Sequence, residues 1–197
     1  LILTITKKYY GNYFSLNNRK FAFMRLEEKE RYYKEKISEI SQSSIPITKL
    51  FTDFTVYPGI EKYKINIKNF SIINDNYYYF NNFTKLKNIL NLGLTKRFYP
   101  YYFDYQYNII INNYIYLPSN MNKILISPKN KNISLPNKSG NINISSRFNE
   151  FKKSINEQIK ITSKPSIISP EGYQDLLNIK EKISSKSNNT YLLEINK

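Results

Sequence analysis

The pattern of apolar and polar residues along the chain is clearest over residues 63–88. Tyr63, Ile65 and Ile67 alternate with polar residues, which is the period of a strand with one buried face. Residues 74–76 (Asn-Asp-Asn) favour a turn, because Asn and Asp tolerate left-handed backbone and hydrogen-bond to their own chain. The aromatic run 77–80 then predicts a returning strand. Apolar residues at helical spacing predict a short helix over 83–90.

The second half of the core region predicts further strands and turns. Residues 107–117 are strand-like, with a possible turn at Asn112-Asn113. The apolar segments 124–126 and 133–135 flank a polar loop and predict a hairpin with a cationic tip. Residues 136–140 (Pro-Asn-Lys-Ser-Gly) predict a second turn, after which Ile142 and Ile144 alternate with polar residues.

Three segments have the pattern of helices. Residues 24–40 show a narrow apolar face and oppositely charged pairs four residues apart, as in a solvated helix. In residues 147–161, Phe148, Phe151, Ile155 and Ile159 recur at three- and four-residue steps, which predicts an amphipathic helix. Pro170 is suited to the first turn of a final helix that continues to about residue 183. Linkers are predicted at 41–46 and 165–170.

These elements predict an α+β protein with a small antiparallel β-sheet core, flanking helices and an extended basic and aromatic N-terminal segment. Composition and linkers divide the chain into three parts. We expect an N-terminal extension with a charged helix over 1–50, a β-rich core over 51–145, and a C-terminal helical segment and tail over 146–197.

The apolar residues have an unusual composition, which points to an AT-rich gene. Among the 197 residues there is one alanine (Ala22), one valine (Val56), and no Trp, Cys or His. Asn, Lys, Ile, Tyr and Phe, which share A- and T-rich codons, take their place. Organellar genomes have this bias, and we expect a mitochondrial location. Leu1 is expected to be a processed terminus, an incomplete start or a non-standard start, and the last of these fits mitochondria.

The same composition argues against several kinds of catalytic site. Without Cys or His, the chain has no thiol nucleophile, no cysteine-ligated metal and no histidine base. No phosphate-binding glycine motif occurs, and the five glycines are far apart in the sequence. Glu27, Glu28, Asp53 and Asp104 are the remaining acid–base candidates, and paired helix-surface glutamates are normally solvated. We expect no enzyme activity, no cofactor and no metal.

The formal net charge of +15 indicates a polyanionic partner. Nucleic acid is the first candidate, and an anionic membrane surface or an acidic protein is the alternative. The interpretation without a binding role is codon drift towards lysine, which costs little on solvated surfaces such as loop tips.

Basic residues interleaved with aromatic residues, or placed at loop ends, are the candidate RNA contacts. Cations bind phosphates, and aromatic rings stack on unpaired bases. The alternative for the rings is ordinary packing in the core or on a neighbouring surface. The candidates are Lys7, Lys8, Arg19, Lys20, Lys96, Arg97, Lys129, Lys131, Lys138, Arg147, Lys152 and Lys153.

Two short stretches resemble the bacterial-type large-subunit ribosomal protein six family. Residues 65–73, 74–76 and 77–80 are similar to the strand, turn and strand of its first domain. Residues 83–86 (Phe-Thr-Lys-Leu) replace the family's Leu-Gly-x-Leu, with Leu90 as its later leucine, and residues 170–173 (Pro-Glu-Gly-Tyr) resemble its Pro-Glu-Pro-Tyr. The chain departs from the family at Thr84 and Asn82, which stand where the family has Gly and Pro. The resemblance covers about a third of the chain.

Charge, composition and resemblance lead to one expectation and one alternative. The expectation is a structural constituent of a mitochondrial ribosome that binds rRNA through Lys/Arg–phosphate contacts beside neighbouring ribosomal proteins. No small-molecule substrate is expected. The alternative is a soluble, peripheral accessory subunit of a respiratory or ATP-synthase complex, with membrane contact through anionic headgroups.

Overall fold

Antiparallel strands arranged in three sheets, together with three helices, form the fold in a computed structural model that describes residues 1–68, 72–74, 76–81, 90, 92–103, 106–185 and 189–195. The helices are α1 Gly11–Phe23, α2 Leu26–Ile40 and α3 Pro170–Ser184. The strands are β1 Ile2–Tyr10, β2 Ser44–Pro46, β3 Phe51–Asp53, β4 Gly59–Ile67, β5 Ile72–Asn74, β6 Tyr77–Asn81, β7 Tyr101–Phe103, β8 Tyr107–Tyr116, β9 Met121–Ile126, β10 Lys131–Ser134, β11 Gly140–Asn149, β12 Ser154–Ser163, β13 Ser166–Ile168 and β14 Thr190–Ile195.

The large sheet has eight strands in the order β10-β11-β12-β8-β1-β4-β2, and β3 also pairs with β4. Its long strands alternate in burial along their length, so that one face is packed and the other is not. We call these two sides of the large sheet the packed face and the open face. A four-stranded sheet, β5-β6-β14-β9, and a two-stranded sheet, β13-β7, complete the fold.

The packed face is covered by different elements at its two ends. Over β1, β4 and β8, the four-stranded sheet contributes Phe80, Met121, Tyr191 and Leu193 to a core that also contains Tyr33 and Ile37 of α2. Over β11 and β12, α3 inserts Tyr173, Leu176 and Ile183 against the isoleucines of those strands. The molecule is therefore two-layered over most of the large sheet, with its cores on one side.

The predicted α+β class and antiparallel sheet core are confirmed. The helices predicted at 24–40 and from Pro170 are present as α2 and α3. The Ser169 hydroxyl accepts a hydrogen bond from the Gly172 backbone N–H at 3.2 Å, which caps α3. No described helix is both long and apolar enough to cross a membrane.

The N-terminal segment is not extended from the core as predicted. Residues 2–10 form β1, which lies inside the large sheet between β4 and β8. Leu3 and Ile5 are buried against the four-stranded sheet because every second residue of this strand faces the packed side. Residues 11–23, also predicted as extension, form α1. The predicted domain boundaries stay predictions, although β1 pairs with strands beyond residue 50.

The amphipathic helix predicted over 147–161 is wrong. These residues form the end of β11, a turn, and most of β12, which pairs with both β11 and β8. Ile155, Ile159 and Ile161 are buried at every second position, and Glu157 occupies the buried position between them. The inward-facing carboxylate interrupts the apolar alternation, so the remaining spacing resembled that of a helix.

Two other local predictions are also corrected. Residues 124–126 and 133–135 do not form a hairpin, because β9 pairs with β14 whereas β10 pairs with β11. Asn112-Asn113 is not a turn but the middle of the continuous strand β8.

The turn over 136–140 is confirmed as a short 3-10 turn between β10 and β11, in which Asn137 and Lys138 adopt left-handed backbone. The predicted strands around 63–67 and 77–80 are confirmed as β4 and β6. Asp75 of the predicted turn and residues 83–89 of the predicted short helix lie outside the described residues.

Candidate nucleic-acid interface

The open face brings five cationic side chains onto one side of the large sheet. Strand alternation places Lys8 of β1, Lys62 and Lys64 of β4, Arg147 of β11 and Lys160 of β12 on this side. None of the open-face positions in β1, β4, β8, β11 and β12 is Asp or Glu. These positions are Ile2, Thr4, Thr6, Lys8, Tyr10, Ile60, Lys62, Lys64, Asn66, Asn108, Ile110, Asn112, Tyr114, Tyr116, Asn141, Asn143, Ser145, Arg147, Asn149, Ser154, Asn156, Gln158, Lys160 and Thr162.

Strand register fixes how these cations are arranged. Lys64, Thr4, Tyr114, Asn156 and Arg147 form one row across five strands. At a strand spacing of about 4.8 Å, the two cations at the ends of this row are about 19 Å apart.

Lys8 and Lys160 lie in a parallel row, four residues along β1 from the row of Thr4, and they stand on either side of Ile110. Lys62 lies between these two rows on β4, opposite Thr6. The cations therefore surround a central strip of neutral side chains.

Of the three carboxylates in the strands of this sheet, Asp53 of β3 is opposite Ile60 at an open-face position, and the other two are on the packed side. Glu61 and Glu157 face the packed side and are almost fully buried. Helix α2 carries five glutamates and packs on the packed side, where the Tyr33 ring contacts the Tyr63 ring at 5.4 Å between centroids. Five basic residues and one acidic residue therefore occupy the open-face positions, which leaves a net positive field over this face.

Lys7, a predicted RNA contact, belongs instead to a buried network on the packed face. Its Nζ lies 3.5 Å from Glu61 Oε1, and the two side chains are 21% and 0% exposed. The hydroxyl groups of Tyr9 and Tyr32 donate to Glu61 Oε2 at 3.4 and 3.0 Å. Burial and the Glu61 charge both raise the pKa of these two tyrosines well above the ordinary value. Lys7 therefore neutralises a carboxylate inside the protein.

Lys20 and Arg97 are also held by the protein itself, through aromatic rings. Lys20 Nζ lies 4.1 Å from the centroid of the Tyr32 ring. Partial burial and the Lys36 charge lower the pKa of Lys20. The Arg97 guanidinium lies 4.7 Å from the ring of Tyr101 and 5.3 Å from that of Tyr173. These cation–π contacts attach the two side chains to the protein surface.

Lys153 is engaged in the structure as well, whereas Lys131 faces inward and its Nζ is buried with no hydrogen-bond partner among the described residues. Lys153 has left-handed backbone in the β11–β12 turn, and its Nζ donates to the carbonyls of Ser119 and Met121 at 2.6 and 2.8 Å. The Lys153 side chain therefore links the β11–β12 turn to the start of β9 and the loop before it by hydrogen bonds. Lys131 faces the packed side beside Ile144, and burial together with the Lys182 charge lowers its pKa.

The other predicted contacts divide into two groups. Lys8 and Arg147 lie on the open face, as described above. Arg19, Lys96, Lys129, Lys138 and Lys152 are exposed at helix, loop or turn positions outside the strands of the open face.

Lys62, Lys64 and Lys160 were not predicted from the sequence as members of one cationic surface. The signal for the β4 pair was present in the alternation of residues 60–67 with Tyr63, Ile65 and Ile67. Lys160 was not recognised because its segment was assigned to a helix, which scatters cations around its axis. Only the pairing of β12 with β8 brings it next to β1.

Two of the acid–base candidates, Glu28 and Asp53, have structural roles. Glu28 Oε2 accepts the Arg25 backbone N–H at 2.8 Å at the start of α2. Asp53 Oδ1 accepts the hydroxyl and the N–H of Thr55, and these hydrogen bonds lower its pKa. Asp104 lies outside the described residues, and among the described ones no group of three or more Asp, Glu, His or Cys residues could hold a metal ion.

The chain matches no protein-family model, and no curated protein or solved structure is significantly similar to it. The resemblance to the ribosomal protein six family therefore stays a prediction. In the first of its two stretches, residues 69–71, 75 and 82–89 lie outside the described residues, and residues 170–173 of the second form the first turn of α3.

Proposed function

We propose that this chain binds RNA through the open face of its large sheet and is a non-catalytic structural constituent of a mitochondrial ribosome. The observation that supports this best is the group of five cations on a sheet face where Asp53 of the edge strand β3 is the single acidic position among the described strands. A polyanion gains from such a face through phosphate contacts and counterion release, because the five cations outweigh the one carboxylate of Asp53.

The ribosomal and mitochondrial parts of the proposal are supported by composition. An AT-biased residue set and a net charge of +15 fit an organelle-encoded protein bound to rRNA. Exposed apolar side chains away from the open face, at Phe98, Tyr99, Tyr102 and Ile167, suit contact with neighbouring ribosomal proteins. Tyr102 and Ile167 are directly opposite each other in the β7–β13 pair.

A matched pair of triple variants tests the RNA-binding function. In the first variant, Lys62, Lys64 and Lys160 of the open face are changed to Gln. In the second, Lys129, Lys138 and Lys152, which are exposed elsewhere, are changed to Gln. Both variants lose the same charge, so a difference between them reports position and not net charge.

Binding to an rRNA fragment is measured by fluorescence anisotropy at 50 and 200 mM salt. We expect the open-face variant to lose affinity about a hundredfold at 50 mM salt and the control variant to lose less than fivefold. Equal losses in both variants would indicate non-specific charge attraction and would contradict the proposal. Binding of the wild type to phosphatidylserine vesicles and not to RNA would favour the accessory-subunit alternative. Co-sedimentation of the native protein with rRNA-containing particles tests the ribosomal assignment.

A further inference from the structure

Aromatic rings lie among the cations of the open face. Tyr114 and Tyr116 of β8 point to this side and are 40% and 44% exposed. Being two residues apart on one strand, they lie about 7 Å from each other. Phe51 of β3, opposite Lys62 at the edge of the sheet, is 54% exposed. A strand exposes such rings at a cost unless something covers them.

Amide side chains occupy the positions next to these rings. Asn112 precedes Tyr114 by two residues on β8, and Asn156 is directly opposite Tyr114 on β12. The Gln158 Nε2 donates to Asn112 Oδ1 at 2.9 Å, which orients both amides on the open face. Each amide has more donor and acceptor positions than this bond uses, so the pair can also hydrogen-bond to a ligand.

The cations are within reach of the same rings. Lys64 Nζ lies 5.8 Å from the centroid of the Tyr116 ring, although the two residues are on strands separated by β1. A group stacked on Tyr116 would therefore have a cation beside it. Arg147 lies beyond Asn156 in the row that contains Tyr114. A ring, an amide and a cation thus occupy neighbouring positions in one row across the sheet.

We propose that the open face binds unpaired RNA, with bases stacked on Tyr114 and Tyr116, base edges bonded to the amides, and phosphates bound by the surrounding lysines. This inference rests on the proposed function and specifies its ligand. Aromatic side chains on a sheet stack successive bases of a single strand, whereas duplex RNA is recognised by its shape and its backbone. A sheet five strands wide cannot enter the deep, narrow major groove of an RNA duplex.

A protein partner fits the same surface less well. Protein interfaces are depleted in lysine at their centres, because burying an ammonium group without a partner is costly. Here Lys8, Lys62, Lys64 and Lys160 lie around the rings, so an apolar partner would have to bury them. A single RNA strand has one phosphate for each base, so it can contact the lysines through its phosphates and the tyrosine rings through its bases.

The test compares ring variants with a ring control in the full-length protein. Tyr114→Leu/Tyr116→Leu removes both stacking rings, Tyr114→Phe/Tyr116→Phe keeps them, and Tyr99→Leu removes an exposed ring from another surface. Affinity is measured for a 12-nucleotide oligouridylate and for an RNA duplex of the same length. Circular dichroism and thermal melting establish that each variant is folded.

We expect the wild type to bind the single strand at least tenfold more tightly than the duplex. The double Leu variant should lose about tenfold or more in affinity for oligouridylate, with its salt dependence unchanged. The double Phe variant and the Tyr99→Leu control should bind like the wild type.

Two results overturn the inference and leave the proposed function standing: equal affinity for strand and duplex, or unchanged binding by the folded double Leu variant. Absence of wild-type binding to any RNA at 50 mM salt overturns both. A wild type that binds phosphatidylserine vesicles in place of oligouridylate would also overturn both.

Discussion

Lys7 and Lys8 are adjacent in β1. We expect substitution of Lys7 to lower stability without affecting RNA binding, and substitution of Lys8 to weaken RNA binding without affecting stability. Both were predicted from sequence to contact RNA, and the strand directs them to opposite faces of the large sheet. Lys7 pairs with the fully buried Glu61, whereas Lys8 lies on the open face between Ile60 and Ile110. Replacing each lysine with Met keeps a long side chain and removes one charge.

The expected loss of stability for Lys7→Met follows from what remains around Glu61. Breaking a buried ion pair costs about 3–5 kcal/mol, because an uncompensated charge stays inside the protein. Here the Nζ–Oε1 distance is 3.5 Å, Lys7 is 21% exposed, and two tyrosine hydroxyls still donate to Glu61. We therefore expect a loss of about 2 kcal/mol, which lowers the Tm of a chain of this length by about 4–8 °C. Lys8→Met, on an open surface, should change stability by less than about 0.5 kcal/mol.

Urea unfolding measures the stability of the two variants, and fluorescence anisotropy measures their affinity for RNA. Lys7→Met should be less stable but bind RNA like the wild type when folded. Lys8→Met should be as stable as the wild type, with several-fold weaker RNA binding and a log–log salt slope reduced by about 0.7. Adding Glu61→Gln to Lys7→Met should restore part of the stability, since no buried charge is then left unpaired.

The reverse pattern would refute the reasoning. If Lys7→Met weakened RNA binding without loss of stability, the Lys7–Glu61 pair would not be a structural feature. If the folded Lys8→Met variant bound RNA with unchanged affinity and salt slope, the open face would lose one of its predicted contacts.

Three further predictions concern single sites. Burial raises the pKa of Glu157, so the folded state holds this proton more tightly and stability falls as pH rises above 4.5 towards the raised pKa. Urea titrations of Glu157→Gln and the wild type at pH 4 and pH 7 measure this. The unfolding free energy of the variant minus that of the wild type should be larger at pH 7 than at pH 4, and the same difference at both pH values would contradict the prediction. Lys153→Met should cost about 1 kcal/mol by removing two carbonyl contacts, measured by urea unfolding, with RNA affinity unchanged. Ile159→Ala, at a fully buried position, should lower the unfolding free energy by about 2–5 kcal/mol in the same assay. A loss of stability below about 1 kcal/mol would contradict the burial of this residue in β12.

The strands that could be predicted from sequence are those with uninterrupted alternation on their buried side. In β4, residues 63, 65 and 67 are all apolar, and both the strand and its polar side were predictable. In β12, Glu157 occupies a buried position, bonded to the Tyr191 hydroxyl at 2.6 Å and to Asn113 at 3.1 Å. A buried polar network of this kind removes the local signal, because its partners come from distant parts of the chain.

The pairing of strands that are far apart in the sequence was the second feature that could not be predicted. Residues 124–126 and 133–135 are close in sequence and looked like a hairpin, yet β9 pairs with β14 near the C-terminal end of the described chain. The same limit applies to the candidate interface. Basic residues were predicted as RNA contacts one by one, whereas the register between β4, β1, β8 and β12 decides which of them share a surface.

The internal positions of Lys7, Arg97 and Lys153 show why net charge alone identifies a partner poorly. Each has its charge next to a carboxylate, an aromatic ring or backbone carbonyls of the same chain. The charge available to a polyanion is therefore concentrated on fewer residues than the sequence suggests, and strand alternation places a group of them on the open face.

Lysine footprinting tests the central claim most directly. The folded protein is acetylated briefly with and without a saturating single-stranded RNA, and the modification of each lysine is quantified by mass spectrometry. We predict that Lys62, Lys64 and Lys160 become protected by RNA while Lys129, Lys138 and Lys152 are modified to the same extent in both samples. Protection of the second group, with the open-face lysines still fully reactive, would contradict the assignment of RNA binding to this face.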